Sequence, residues 1–144
     1  MISLCYVSSS TKPPSDNELV DLLKACHQSN SKLDITGLLL YNGIGTYLQA
    51  LEGDEISVRE LYDKIKKDPR HERVHKIGEK QIENRSFPEW KMGFRNTSKL
   101  PTDTLTGFSQ FMNKEDAANY LSENTSFAYE MLSHFRNKSN ELLF

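Results

Sequence analysis

Apolar residues fall in two rhythms along this chain. In residues 2–8, ISLCYVS, the side chains of Ile2, Leu4 and Tyr6 recur at every second position, which predicts a strand. The next loop carries Pro13 and Pro14, and Ser15 and Asp16 are candidate N-caps for a helix. Leu19, Leu22, Leu23 and Cys26 then recur at helical spacing and predict that helix over residues 16–29. Residues 34–41, DITGLLLY, predict a buried strand, Asn42-Gly43 a hairpin turn, and residues 46–52 its partner strand. Ile56, Val58, Leu61, Tyr62 and Ile65 mark a second helix. It should stop before Asp68-Pro69, because a residue preceding proline disfavours helical geometry. Residues 75–82 and 90–94 are weaker strand candidates.

The order β-α-β-β-α-β-β contains the split βαβ pattern, so the expected class is α+β with a ferredoxin-like sheet. Two helices cover one face of such a sheet and leave the other open. Candidates to cover it lie beyond Pro101: a short helix over residues 102–112, a cap at Asn113 with Asp116, and Ala128, Met131, Leu132 and Phe135 at i, i+3, i+4, i+7. The expected layout is a domain over residues 1–97 and a helical extension over 98–144.

Composition narrows the function classes. At 144 residues the chain fits one ordinary domain. Its 18 basic and 20 acidic residues offer no cationic field for nucleic acid or an anionic membrane. Cys5 and Cys26 form no CxxC and no metal spacing, and they read as reduced thiols. No signal peptide and no apolar run of about 20 residues is visible, so a cytoplasmic location is expected. His71 and His75 stand four apart, but no third ligand accompanies them and no metal is expected. GxGxxG, P-loop and GxSxG motifs are missing.

The informative residues are polar ones inside apolar strands. Tyr6 shares a face with Ile2 and Leu4, and Gln49 shares one with Tyr47 and Leu51. A buried glutamine must satisfy both ends of its amide, and a buried phenol wants a partner. Taken alone, these residues read as a hydrogen bond locking two strands. Asn30 then reads as a helix C-cap, Asp68 and Arg70 as helix-end charges, and Trp90 and Met92 as core residues on one strand face.

Five motifs in order change that reading. LCYVS contains Tyr6; N-x-x-x-x-I-T-G-L-L-L-Y runs from Asn30 to Tyr41; YLQALEG contains Tyr47 and Gln49; DPRH holds Asp68, Arg70 and His71; FPEWKM holds Trp90 and Met92. Together they resemble the BLUF family of flavin-based blue-light sensors, in its short form with C-terminal helices.

The resemblance implies a flavin, FAD with FMN as the alternative, bound non-covalently between the two helices. Tyr6 and Gln49 would meet the ring's photoactive edge and Asn30 its polar edge. Tyr47, Asp68, Arg70 and His71 would complete the binding site, while Ser29 offers only a hydroxyl next to Asn30. Light would drive electron and proton transfer from Tyr6 through Gln49, rearranging the flavin's hydrogen bonds into a red-shifted signalling state. Trp90 and Met92 would carry the change outward to a homo-oligomer partner or a separate signalling protein, and no net reaction would be catalysed.

Two other classes bear weighing. A hydrolase on this fold needs an arginine-bearing phosphate loop after the first strand, and SSSTKPPS has no arginine. A light-independent small-molecule-binding regulatory module is the alternative reading.

Overall fold

The computed structural model describes residues 1–99 and 117–136. The helix expected over 102–112 and the cap at Asn113 and Asp116 lie outside the described residues, as does the side chain of Phe135.

β1 (Ile2–Ser10) sits inside the sheet, and it alternates between two buried faces. Ile2, Leu4 and Tyr6 point to one face, Cys5 and Val7 to the other. After it comes α1 (Asp16–Leu33), opened by a capping box: Glu18 N–H donates to Ser15 Oγ at 3.1 Å, and Ser15 N–H donates to Glu18 Oε1 at 3.2 Å. The helix runs four residues past the predicted end and closes on Asp34, whose φ of 53° is left-handed.

β2 (Thr36–Tyr41) and β3 (Thr46–Gly53) form the predicted hairpin. Its loop is closed by Asn42, whose Oδ1 accepts from Ile44 N–H at 3.0 Å and Thr46 N–H at 2.9 Å. α2 (Glu55–Lys67) is capped by Asp54. Its last residue stands just before Asp68-Pro69, as the proline dictates. β4 (His71–Gln81) begins four residues earlier than predicted, and β5 (Gly93–Asn96) is short.

The strands lie in the order β4-β1-β3-β2-β5, with β2–β5 parallel and the other pairs antiparallel. This is the α+β, ferredoxin-like arrangement with a fifth strand added at one edge. Gly37 is required in it: a Cβ there would meet the carbonyl oxygen of Ala50 at 2.0 Å.

α1 and α2 cover the face carrying Leu4, Tyr6, Leu39, Tyr47 and Leu51. The opposite face, with Cys5, Val7, Leu38, Leu40, Leu48 and Ala50, packs against α3 (Ala117–Glu123) and α4 (Thr125–Arg136) through Ala118, Leu121, Ala128, Met131 and Leu132. These two helices cover the open face, as the helical spacing of Ala128, Met131 and Leu132 implied.

One local expectation fails. The strand predicted over 90–94 begins only at Gly93, so Trp90 and Met92 do not share a strand face. Pro88 cannot donate a ladder hydrogen bond. The chain instead makes a turn in which Trp90 N–H donates to Phe87 O at 3.1 Å. Period-two counting breaks there. Met92 enters the core beneath α1 and α2, whereas Trp90 packs against the core beneath α3 and α4, its ring stacked on Phe87 at 5.6 Å.

Candidate functional site

A cavity of about 260 Å³ opens between α1 and α2 above the sheet. Leu22, Leu39, Leu61 and Ile65 make its apolar walls. Its floor is set by strand register. Tyr6 on β1 is paired directly with Gln49 on β3, and Gln49 in turn with Leu39 on β2. Directly opposed side chains in an antiparallel pair are close enough to bond. The Tyr6 hydroxyl donates to Gln49 Oε1, and Gln49 Nε2 donates to the Met92 sulfur at 3.2 Å. Both ends of the amide are thereby used, and its orientation is fixed: oxygen toward Tyr6, nitrogen toward Met92. Burial pushes the Tyr6 phenol well above its ordinary pKa, so it stays a hydrogen-bond donor. The Tyr62 ring lies tilted against it at 5.5 Å.

Asn30 lies within the last turn of α1 rather than at its C-cap, and it is 2% exposed. Its Nδ2 donates to Lys91 O at 2.7 Å, tying α1 to the chain just before Met92. That bond uses one of the two amide N–H groups. Ser29 also lines the cavity.

The far end of the cavity is built by the turn after α2. Arg70 Nε bonds Asp68 Oδ1 at 3.0 Å, and the guanidinium holds the Asp68 carboxyl below the usual range. Arg70 itself is largely exposed, so this pair is a surface feature at the cavity mouth. His71 is spent within the protein. Its Nε2 faces the Ile65 carbonyl, an acceptor, so that nitrogen carries a proton; Nδ1 meets Ser8 Oγ at 3.1 Å. It braces the wall, clamping α2 to β1. His71 and His75 both lie in β4, where a separation of four is not the helical spacing of a metal pair. Tyr47 stacks on Tyr41 at 4.7 Å and lines the cavity beside Gln49.

All the expected binding residues, Tyr6, Asn30, Tyr47, Gln49, Asp68, Arg70 and His71, therefore line one cavity. Met92 touches the Gln49 amide, and Trp90 does not line the cavity. Sequence reasoning missed Cys26 and Tyr62 around Tyr6. Burial pushes the Cys26 thiol up to about 11, which keeps it protonated and a poor nucleophile. Their only signal was helical spacing, which they share with ordinary core residues. Glu52, a fully buried carboxylate at the end of β3, was also missed, though an acid within a doubly covered strand is a signal in itself.

The comparisons with known proteins agree on one family. The family model for BLUF, sensors of blue-light using FAD, matches residues 1–93. The chain belongs to the BLUF family. The photoactivated adenylate cyclase subunit beta of Euglena longa is 35% identical over 103 residues, 71% of this chain and 12% of that protein. The chain thus spans about an eighth of that relative's length. The dark-state structure of the BLUF protein BlrB superposes with a TM-score of 0.69 at 27% identity, covering 90% of this chain and 96% of that one. BlrP1 of Klebsiella pneumoniae, solved with FMN and cyclic diGMP, gives a TM-score of 0.68 at 28% identity over 94% of this chain and 34% of that one. The BLUF region is a flavin-using blue-light sensor, and no helix among the described residues is long and apolar enough to cross a membrane.

The residues fit a flavin ring. The cavity is flanked by helices, its walls are apolar, and the amides of Asn30 and Gln49 are nearly wholly buried in it. At about 260 Å³ it lies just below the range of roughly 300–1,000 Å³ typical of small-molecule sites, which suits a ring system better than a whole dinucleotide.

Proposed function

We propose that this chain is a photoreceptor that catalyses no reaction and that switches through one amide, that of Gln49. The observation that carries the proposal is the ordered run Tyr6 hydroxyl–Gln49 amide–Met92 sulfur at the cavity floor. Bound flavin supplies the blue-light chromophore and, when excited, an electron acceptor. Tyr6 is the donor within the chain. Once oxidised, its phenol is a strong acid, and the oxygen placed to receive its proton is Gln49 Oε1. Electron and proton then both return to Tyr6, so that only the amide is left rearranged and no net oxidation remains. An amide that turns over at this point presents its nitrogen to Tyr6 and its oxygen to Met92. Sulfur and carbonyl oxygen are both acceptors, so the contact that holds Met92 in the dark is lost. Asn30 holds the ring's polar edge, and Tyr47, Asp68, Arg70 and His71 shape the rest of the site.

The output runs through Trp90. It lies two residues from Met92 yet packs beneath α3 and α4, so a displacement at Met92 reaches the second core along a short stretch of backbone. From those helices the signal passes to a second copy or to a separate signalling protein. FAD is the expected flavin, on the family description, and FMN is the alternative. A cytoplasmic location is the expected setting for such a receptor.

The test is absorption spectroscopy of the full chain with added FAD. Blue light should produce a reversible red shift of the flavin band. A chain that takes up no flavin ends the photoreceptor reading, and one that binds flavin without shifting ends the switch. In a chain that shifts, Trp90→Ala should keep the shift and lose any light-dependent hydrogen exchange in residues 117–136. Exchange unchanged by that substitution would exclude the Trp90 route.

A further inference from the structure

We propose that Glu52 is a positioning residue for the light-driven switch: it anchors segment 85–92, and so sets how readily Met92 returns to Gln49. The inference rests on the photoreceptor reading above. Glu52 lies three residues after Gln49 on β3, on the opposite face, and is 1% exposed. Its Oε1 accepts Phe87 N–H at 2.6 Å and the Thr36 hydroxyl at 3.1 Å; its Oε2 accepts Ser86 N–H at 2.9 Å. Arg85 adds to the same knot. Its Nη1 donates to Thr36 Oγ1 at 2.9 Å and to the Glu52 carbonyl at 3.3 Å. Bonds to a buried carboxylate are charge-assisted and about twice as strong as neutral ones. The ion pairs on this segment, Asp34 with Arg85 and with Lys91, involve a carboxylate that is 79% exposed and contribute little.

Beyond the anchor the chain has little freedom before the switch. Trp90 closes a turn onto Phe87, and its carbonyl accepts from Gly37 N–H at 3.0 Å. Lys91 O accepts from Asn30, and Met92 then meets Gln49. The segment is thus fastened at one end to β2 and β3 and at the other to the cavity. When the Gln49 amide turns, its oxygen faces the Met92 sulfur and the sulfur must withdraw. A firmly anchored segment resists that withdrawal and favours return to the dark arrangement. A loosened anchor lowers the cost of the light arrangement and slows recovery.

The test tracks dark recovery after blue light in the full chain loaded with FAD. Glu52→Gln preserves volume but sets an NH₂ donor against a backbone N–H. It should bind FAD at parent stoichiometry and show the initial shift. Recovery should be about tenfold slower, which corresponds to about 1.4 kcal/mol in the barrier. Dark amide exchange at Ser86 and Phe87 should rise. Thr36→Val should slow recovery in the same direction and less. Ile77→Ala serves as the control, because Ile77 packs on the same core and makes none of the anchor's hydrogen bonds. It should lower thermal stability and leave recovery unchanged. Parent-like recovery in Glu52→Gln, or equal slowing in Ile77→Ala, overturns the inference. If Glu52→Gln does not fold, unchanged recovery in Thr36→Val overturns it instead. A parent without a spectral shift overturns the photoreceptor reading along with this one, whereas a shifting parent that ignores Glu52→Gln overturns this one alone.

Discussion

The two faces of the sheet are made from the same strands and do opposite things. On β3, Tyr47, Gln49 and Leu51 face α1 and α2, while Leu48, Ala50 and Glu52 face the other way. Tyr47 and Gln49 of the first set border the cavity and put a phenol and an amide there. The second set, apart from Glu52, is aliphatic and packs against aliphatic residues of α3 and α4. The difference shows how a strand's period of two lets one short segment specify a polar ligand floor and a packing surface at once. It also separates the consequences of mutation: changes on the cavity face should alter the photocycle with little loss of stability, and changes on the other face, Glu52 excepted, the reverse.

The largest effect tests the cavity face. Tyr6→Phe keeps the ring and removes only the hydroxyl donated to Gln49. The red shift should vanish completely, while flavin binding persists and stability falls by about 1 kcal/mol for the lost hydrogen bond. Gln49→Leu should do the same to the spectrum. A normal photocycle in either variant, recorded by difference spectroscopy, removes the residue from the switch. On the opposite face, Leu48→Ala deletes a fully buried side chain and should cost about 2–5 kcal/mol in denaturant unfolding. The red shift should remain as long as the variant is folded. If Leu48→Ala abolished the shift in a folded, flavin-loaded protein, the two faces would not be separable.

How much of this was legible beforehand differs between the same two faces. The alternation of Ile2, Leu4 and Tyr6, the Asn42-Gly43 turn and the stop at Asp68-Pro69 defined the sheet and its two long helices, because each is a local signal with a local cause. Tyr6 and Gln49 stood out because polar groups in apolar strands must find partners. The motifs, rather than the pattern, joined Asn30, Tyr47, Asp68, Arg70 and His71 to them. What failed was the stretch around Trp90. Two large apolar residues two apart imitate a strand face, and only the turn after Pro88 sends them to opposite cores. Glu52 showed as an acid in an apolar strand, but what it holds did not show. Its partners are backbone N–H groups of Ser86 and Phe87, and backbone donors leave no mark in a sequence.

A smaller effect separates binding from switching within the cavity. Asn30→Ala removes a buried amide and should weaken flavin retention by roughly 1–3 kcal/mol. Arg70→Ala, at the exposed mouth, should cost less than about 1 kcal/mol. Titration with FAD measures both. Equal losses would mean that the mouth contributes as much as the buried edge.

The smallest effect is expected of pH, and it too should divide the faces. Tyr6, Tyr41, Tyr47 and Tyr62 all lie on the cavity face, and burial raises every one of their phenol pKa values, that of Tyr41 to about 12. Burial likewise raises the Cys26 thiol beside them to about 11 and the Cys5 thiol on the other face to about 12. In each case the folded chain holds its proton at a pH where the unfolded chain has released it. The unfolded state therefore binds fewer protons, and stability must fall as pH rises. The loss should begin near the ordinary thiol value of about 8.5, steepen above the ordinary phenol value of about 10, and continue through the raised values. Below that window these groups are neutral in both states and contribute no slope. All of these groups except Cys5 line or underlie the cavity, so flavin release on alkaline titration should precede loss of the far-ultraviolet helical signal. Simultaneous loss of both would show that the packed face is no sturdier than the cavity face.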